Sequence, residues 1–402
     1  MIRYLAALLL PLAVSAAPAV IEPWPLPAGS AAAQPSLSRG AGGALNLSWI
    51  ERSGNGHRLK FARYADARWS ATRTIAEGDN WFVNWADFPS TTQLPDGTLW
   101  AHNLVKSAKG TYAYDVVLYR SSDGGNTWSA PIRVNDDGTP TEHGFATLWP
   151  WSKHELAIAW LDGRNTGGGN HDAHAGHGDA TGNMMTLRAA VYDGKGRKTA
   201  EWPLDASTCD CCQTDAAVTD NGPVIIYRDR DPQEIRDVFT VRHADGRWQT
   251  PKAVAADQWH MPACPVNGPA LAANGRSLWA AWYTGSGNVP KIRVAYSGNS
   301  GGAFLPARTV RTSPDVLGRV DLAADAGGAW LLWSEESGEQ SLWLKRFAKT
   351  TDHGDKPLRL ATLKGHGHGT GFARMQQTAR GLYVVWTDVI DGRPVLRGAL
   401  VK

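Results

Sequence analysis

Cysteine is scarce in this chain: 402 residues carry four, of which Cys209, Cys211 and Cys212 crowd together and only Cys264 stands elsewhere. No basic or acidic run stands out, and lysine plus arginine exceeds aspartate plus glutamate by only 41 − 38 = 3. Such a balance gives no footprint for nucleic acid or for an anionic membrane. Beyond the opening segment, no stretch approaches the roughly 18 consecutive apolar residues of a membrane helix. That opening segment, MIRYLAALLLPLAVSAAPA, sets Arg3 before an apolar run and then small residues around Val14, Ser15 and Ala16, the pattern of a secretory leader cut near Ala16 or Ala17. With no cysteine at the cut, no lipid anchor is expected. The expectation is a leader over residues 1–17 and an exported chain, periplasmic or secreted, that engages no membrane once the leader is removed.

What the chain has in excess is tryptophan, 19 residues, and glycine, 43 residues. Together they predict many short strands joined by tight turns. One phrase recurs, an alternating apolar strand ending in an aromatic residue and then usually an acid: ALNLSWIE (Trp49), ELAIAWLD (Trp160), PVIIYRD (Tyr227), SLWAAWYT (Trp282), AWLLWSEE (Trp333) and LYVVWTD (Trp386). GTLWAHNLV is a weaker copy with Asn103 at the aromatic position, and successive copies lie 54, 57, 67, 55, 51 and 53 residues apart. A period of that size, with a strand-like piece before each copy and one or two after it, predicts an all-β propeller of four-stranded blades over residues 18–402. Seven blades are favoured and six are the alternative. The seventh unit stops after its third strand, and the N-terminal AVIEPWPL offers the strand that completes it and closes the ring.

The stretch SSDGGNTW, residues 121–128, follows the pattern Ser-x-Asp-x-Gly-x-Thr-Trp and resembles the Asp-box, or BNR, repeat of sialidase-like β-propellers. Asp123 and Thr127 suit a turn that bonds its own amides, Gly125 suits a left-handed backbone, and Trp128 suits packing between blades. SGNSGGAF, from Ser297 to Phe304, is an eroded copy. The resemblance implies a propeller whose substrate carboxylate is held by three arginines, with a glutamate-assisted tyrosine nucleophile and an aspartate as acid/base. The Arg-Ile-Pro signature of that family's first blade is missing, with only Arg39 nearby, and seven units stand where sialidases have six blades.

The loops expected on one face of the ring collect arginines, acids, histidines and all four cysteines. Planar guanidinium groups bind carboxylate bidentately, which makes Arg228, Arg230, Arg319 and Arg374 the candidate substrate ligands. Asp87, Asp162 and Glu335 are candidate acids, and Tyr227 or Tyr283 the candidate phenol. An acid two places after the aromatic recurs as Glu51, Asp162, Asp229, Glu335 and Asp388, a repetition that equally suits loop capping. Arg228 and Arg230 equally suit an ion-pair lattice.

The cysteines divide three ways. An exported chain with an even cysteine count favours disulfides among Cys209, Cys211, Cys212 and Cys264. A thiolate site for copper or zinc, with His260 or Met261 beside it, is the alternative, and a free thiol is the third. In the repeat register CQTDAAV aligns with CPVNGPA, so Cys212 and Cys264 are expected to be neighbours at the channel mouth. His171, His174, His177, His366 and His368 extend the metal alternative to two glycine-rich loops. The leading functional expectation is an exported sialidase-like propeller binding or hydrolysing an acidic glycan, or another small anionic ligand, with no cofactor. If it is an enzyme, it is an exo-sialidase-like glycoside hydrolase. The alternatives are a periplasmic copper- or zinc-binding propeller using the cysteine rim, and a non-catalytic propeller that docks a protein partner.

Overall fold

In the computed structural model, which describes residues 19–167, 184–348 and 356–402, each recurring phrase is the second strand of its own antiparallel sheet. The leader and the histidines at 171, 174 and 177 lie outside the described residues. There are seven sheets of four strands, the outermost strand being broken into two short pieces in the first and fourth. The second strands run over Leu45–Ser53, Leu99–Lys106, Leu156–Asp162, Gly222–Arg228, Ser277–Thr284, Gly328–Ser337 and Gly381–Ile390. Their near-continuous apolar runs follow from burial on both faces, because each blade is covered by the next.

The first strands stand side by side around the axis: Ala32–Arg39, Thr91–Gln93, His143–Pro150, Asp215–Thr219, Ala270–Asn274, Val316–Asp325 and Arg374–Thr378, the last returning to the first. The ring closes as the sequence predicts. Ile21–Pro23 pairs antiparallel with Arg393–Val401, Ile21 opposite Val401, and so supplies the fourth strand of blade 7. Trp24 then fixes the seam, its ring 4.6 Å from Tyr383 of blade 7 and 5.0 Å from Trp69 of blade 1. Such closure covers the third strand of blade 7, which would otherwise stand as an open edge. No helix among the described residues is long and apolar enough to cross a membrane.

The recurring acid has a structural task in three copies. The indole N–H of Trp49 donates to Glu51 at 2.7 Å, that of Trp160 to Asp162 at 2.8 Å, and that of Trp333 to Glu335 at 2.8 Å. A tryptophan buried between blades needs an acceptor for its one polar atom, and the carboxylate two residues on provides it. Asp388 instead accepts the backbone N–H groups of Lys364 and Gly365. Replacing Trp160 with Phe removes the donor while keeping most of the packing. We expect a loss of about 1–3 kcal/mol in urea unfolding, and a smaller loss in an Asp162→Asn background, where the acceptor pair is already altered.

The Ser121–Trp128 turn bonds as its residue types require. Asp123 accepts from the Ser121 hydroxyl and from the amides of Asn126 and Thr127, and Thr127 Oγ1 donates to it at 2.6 Å. Gly125 has φ +88, and a Cβ there would meet Phe61 of blade 1 at 2.7 Å. Trp128 sets its ring 6.0 Å from the same Phe61. The eroded copy makes the same turn, with Asn299 accepting from Ser297 and from the Ala303 amide.

Candidate functional site

Adjacent blades are stitched by side chains that stand in, or just before, one first strand and bond the backbone of a neighbouring blade. The amide of Phe145 donates to Asp87 at 2.8 Å, that of Leu271 to Asp215 at 2.7 Å, that of Met375 to Asp321 at 2.7 Å, and that of Gly268 to Gln213 Oε1 at 2.8 Å. These positions put the segments that precede the first strands at the mouth of the channel. The segment before blade 4 is Cys209–Gln213.

There the backbone doubles back on itself. Cys209 N–H donates to the carbonyl of Arg228, and Thr208 N–H to that of Met185, which pins the segment between blades 3 and 4. The fold brings the Sγ atoms of Cys209, Cys211 and Cys212 within 4.8 Å of one another, with Cys209 and Cys212 at 3.1 Å. Cys209 and Cys212 are buried, Cys211 is half-buried, and all four cysteines are free thiols. Cys264 is exposed and stands outside the group of three sulfurs, though it adds to the interactions that raise Cys211.

Two buried arginines face this cluster. Arg236 is fully buried, and its Nε and Nη2 donate to Glu234 while its Nη1 has no hydrogen-bond partner among the described residues. Burial works to lower the Arg236 pKa, but the Cys209 charge and the bonds to Glu234 hold it above its ordinary value. Burial pushes Cys209 up to about 11, and it also pushes Cys211 well up with the help of the neighbouring thiols. Burial acts the same way on Cys212 but is outweighed by hydrogen bonds from Cys209 and Cys211, the Arg228 guanidinium and the Asn267 amide, so Cys212 is held well below the ordinary thiol range. One thiolate supported by two thiols and a buried cation is a nucleus for soft-metal chemistry.

The four arginines read from the sequence do not converge on one position. Arg228 gives its guanidinium to the carbonyls of Asn267, Arg236 and Tyr283 and lies over Trp259. Arg230 is paired with Glu234 at 2.6 Å and Asp210 at 3.2 Å. Arg319 bonds Thr370 and the carbonyls of Gly367 and Gly371, with Trp85 at 4.9 Å beneath it. Arg374 faces Asp321 at 3.4 Å and packs on Phe88. The ion-pair reading holds for Arg230, while Arg228 and Arg319 tie loops together through backbone carbonyls.

The proposed catalytic trio is likewise dispersed. Tyr227 is buried with its hydroxyl held by Asp205. Asp162 is held by Trp160 and Arg164, and Glu335 by Trp333 and Arg311. Tyr283 packs edge-on against Trp259 at 5.6 Å. His260 is exposed and bridges to Ile235, and His368 stacks on Trp85 at 4.2 Å.

Sequence reasoning missed a phenol–carboxyl group next to the thiols. Tyr114 Oη lies 2.9 Å from Asp87 Oδ2 and 2.7 Å from Glu142 Oε1. One hydroxyl hydrogen cannot serve two carboxylates, so the trio holds an extra proton. Burial raises Asp87 to about 7 and lifts Glu142 well above the carboxylate range. Burial also raises Tyr112, followed by the charges of Glu142, Cys264 and Cys211, which places these groups in one neighbourhood. The three come from separate segments of blades 2 and 3, and no local motif joins them. Only Asp87, named as a candidate acid, was visible beforehand.

The shift at Asp87 makes a stability prediction with a definite sign. Its folded pKa lies above its ordinary 3.8, so its contribution is fully present at low pH and is lost as pH rises through about 7. Compared with Asp87→Asn, the native chain should lose roughly 1–4 kcal/mol of unfolding free energy between pH 5 and pH 8. The difference between the two chains isolates Asp87 from Asp215 and Asp229, which burial also lifts to about 7, and from His102, which burial lowers to about 4. Parallel pH profiles for the two chains would contradict it.

No protein-family model matches the chain, and no curated protein sequence does. Among solved structures, it is similar to a protein of unknown function from Dyadobacter fermentans, 12% identical over 93% of this chain and 95% of that one, with a TM-score of 0.50. A polysaccharide lyase is 9% identical over 91% of this chain and 89% of its own, with a TM-score of 0.52. The NanB sialidase from Streptococcus pneumoniae is 9% identical over 95% and 94%, with a TM-score of 0.44. At these identities the likeness is one of fold.

Proposed function

We propose that this protein is an exported propeller that captures copper(I) at the thiol cluster on its channel mouth. Cys209, Cys211 and Cys212 would be the ligands. The observation that carries the reading is their convergence within 4.8 Å beside the buried, unpartnered Nη1 of Arg236. A buried guanidinium N–H without an acceptor is costly. An anionic copper–thiolate group would supply the missing negative charge. Soft thiolate donors select copper(I), whereas closed zinc sites take four ligands, and the fourth thiol, Cys264, is the exposed one. When bound, the ion would be held in a low-exchange state that spares exported proteins from copper-driven oxidation. The chain's own residues would orient the thiols, and the Arg228 guanidinium and the Asn267 amide would stabilise the thiolate of Cys212. Anaerobic copper(I) titration against a competing chelator should give one ion per chain. Binding of zinc in preference to copper would move the reading to a four-thiolate zinc site, and binding of neither would end it.

A second reading, a glycan-binding or glycan-cleaving face, is favoured by the Asp87–Tyr114–Glu142 group, whose extra proton suits general-acid work. Tyr114 and Asp87 are buried, so Glu142 is the member that would meet a ligand. The arginine placement offers no shared clamp for a sialic-acid carboxylate, so a substrate would be recognised by other groups. Turnover of an acidic oligosaccharide that Glu142→Gln abolishes while copper binding persists would support this reading. No thermal shift with sialosides or uronate oligosaccharides at millimolar concentration would remove it.

A further inference from the structure

His143 opens the first strand of blade 3, is fully buried, and belongs to neither the thiol cluster nor the phenol–carboxyl group. Its Nδ1 lies 3.2 Å from the backbone carbonyl of Tyr114. A carbonyl only accepts, so Nδ1 carries a hydrogen and Nε2 is the ring nitrogen left for another partner. Nε2 faces two carboxylate oxygens, Asp137 Oδ1 at 3.2 Å and Asp162 Oδ1 at 3.9 Å, while Asp115 Oδ1 lies 3.9 Å from Nδ1. Nε2 nonetheless makes no hydrogen bond, because the contact to Asp137 is not aligned for one. A cation between these three atoms would satisfy Nε2 and share Asp162 Oδ1 with Arg164.

We infer that His143, Asp137 and Asp162 form a divalent transition-metal site, zinc being the first choice, which clasps the loop before blade 3 to the first two strands of that blade. The arrangement of the imidazole, one nitrogen donating to a carbonyl and the other free, is that of a metal-ligating histidine. Donor atoms around zinc with bonds near 2.0–2.2 Å sit roughly 3.4 Å apart, and the three atoms here already lie within 4.8 Å of one another. Asp137 is presented by its own loop, where Thr139 donates to it from backbone and hydroxyl and Asn135 donates to the neighbouring Asp115 at 2.9 Å. Asp162 is shared with Arg164, whose Nε and backbone N–H donate to the same Oδ1. Arg164 has a second carboxylate, Glu201, at 3.6 Å and can shift toward it as the ion takes over Asp162. Of the nearby positive charges, Arg133 pairs with Asp115, on the Nδ1 side of the ring, and Lys198 with Glu201 and Asp136, so neither is paired with Asp137 or Asp162.

The site is independent of the copper reading, and its test removes the thiols first. A mature chain with Cys209, Cys211, Cys212 and Cys264 all changed to Ser is stripped with chelator, equilibrated with zinc and gel-filtered. One zinc per chain is expected, with a melting-temperature rise of about 3 °C at a hundredfold excess over Kd. In the otherwise native chain, Asp137→Asn, a change at the half-buried loop, should lower bound zinc by one per chain. That second variant decides the matter if the cysteine-free chain does not fold. Zinc retained in full by Asp137→Asn, or none bound by the folded cysteine-free chain with zinc or manganese, overturns the inference.

Discussion

Cys212→Ser should weaken copper(I) binding by more than about a hundredfold, beyond the 10–100-fold range typical when only a group supporting a ligand is lost. Cys212 is the thiol whose anion the site stabilises, by hydrogen bonds from Cys209 and Cys211, by Arg228 and by the Asn267 amide, against the burial that opposes it. A serine hydroxyl in its place is a hard, protonated donor that a soft ion does not favour. Arg236→Gln should fall inside the 10–100-fold range, because Arg236 supplies charge and an N–H rather than a bond to the ion. Cys264→Ser should have the smallest effect of the set, since Cys264 is exposed and lies outside the group of three sulfurs. Competition titration with a copper(I) chelator under reducing, oxygen-free conditions ranks all three. An order in which Cys264→Ser is worst would move the ion outward to the exposed rim and contradict the buried site.

Gly268→Ala should cost about 3 kcal/mol or more of unfolding free energy and should disturb the metal site as well. Gly268 leads into the first strand of blade 5, and a Cβ there would lie 2.2 Å from the carbonyl oxygen of Gln213 and 2.6 Å from its nitrogen and Cβ. The obstruction is backbone, not a flexible tip, so the two blades must part. The bond from Gly268 N–H to Gln213 Oε1 breaks with them. Gln213 follows Cys212 directly, and Asn267 supplies the amide that stabilises its thiolate. The variant should therefore melt lower and also bind copper more weakly than Gly301→Ala, where φ is +76 but the nearest atoms are side-chain carbons, Leu278 Cδ2 at 3.0 Å first, and no backbone. Equal copper affinities for the two variants would separate blade spacing from the site.

The architecture was legible because it repeats. Seven copies of one strand pattern, at nearly constant spacing and with a spare N-terminal strand, leave few ways to bury their apolar faces. The structure follows down to the Ile21–Val401 pairing. The site was legible only where its members are neighbours in sequence, as with Cys209, Cys211 and Cys212. The arginines misled because a loop rich in Arg and Asp looks alike whether the guanidinium meets a ligand, an acid or a carbonyl; all three nitrogens of the Arg228 guanidinium donate to carbonyls. Asp162 and Glu335 show why a repeated acid tends to be structural: each serves the tryptophan two residues before it. Tyr114, Glu142 and His143 gave no advance signal, because their partners come from other strands and their roles depend on burial that no local pattern displays.

The most direct test is elemental analysis with thiol counting on the native protein recovered from an exported fraction under oxygen-free conditions. The account predicts one copper per chain, with all four cysteines reduced and titratable after the metal is removed. Two disulfides per chain and no bound copper would contradict it.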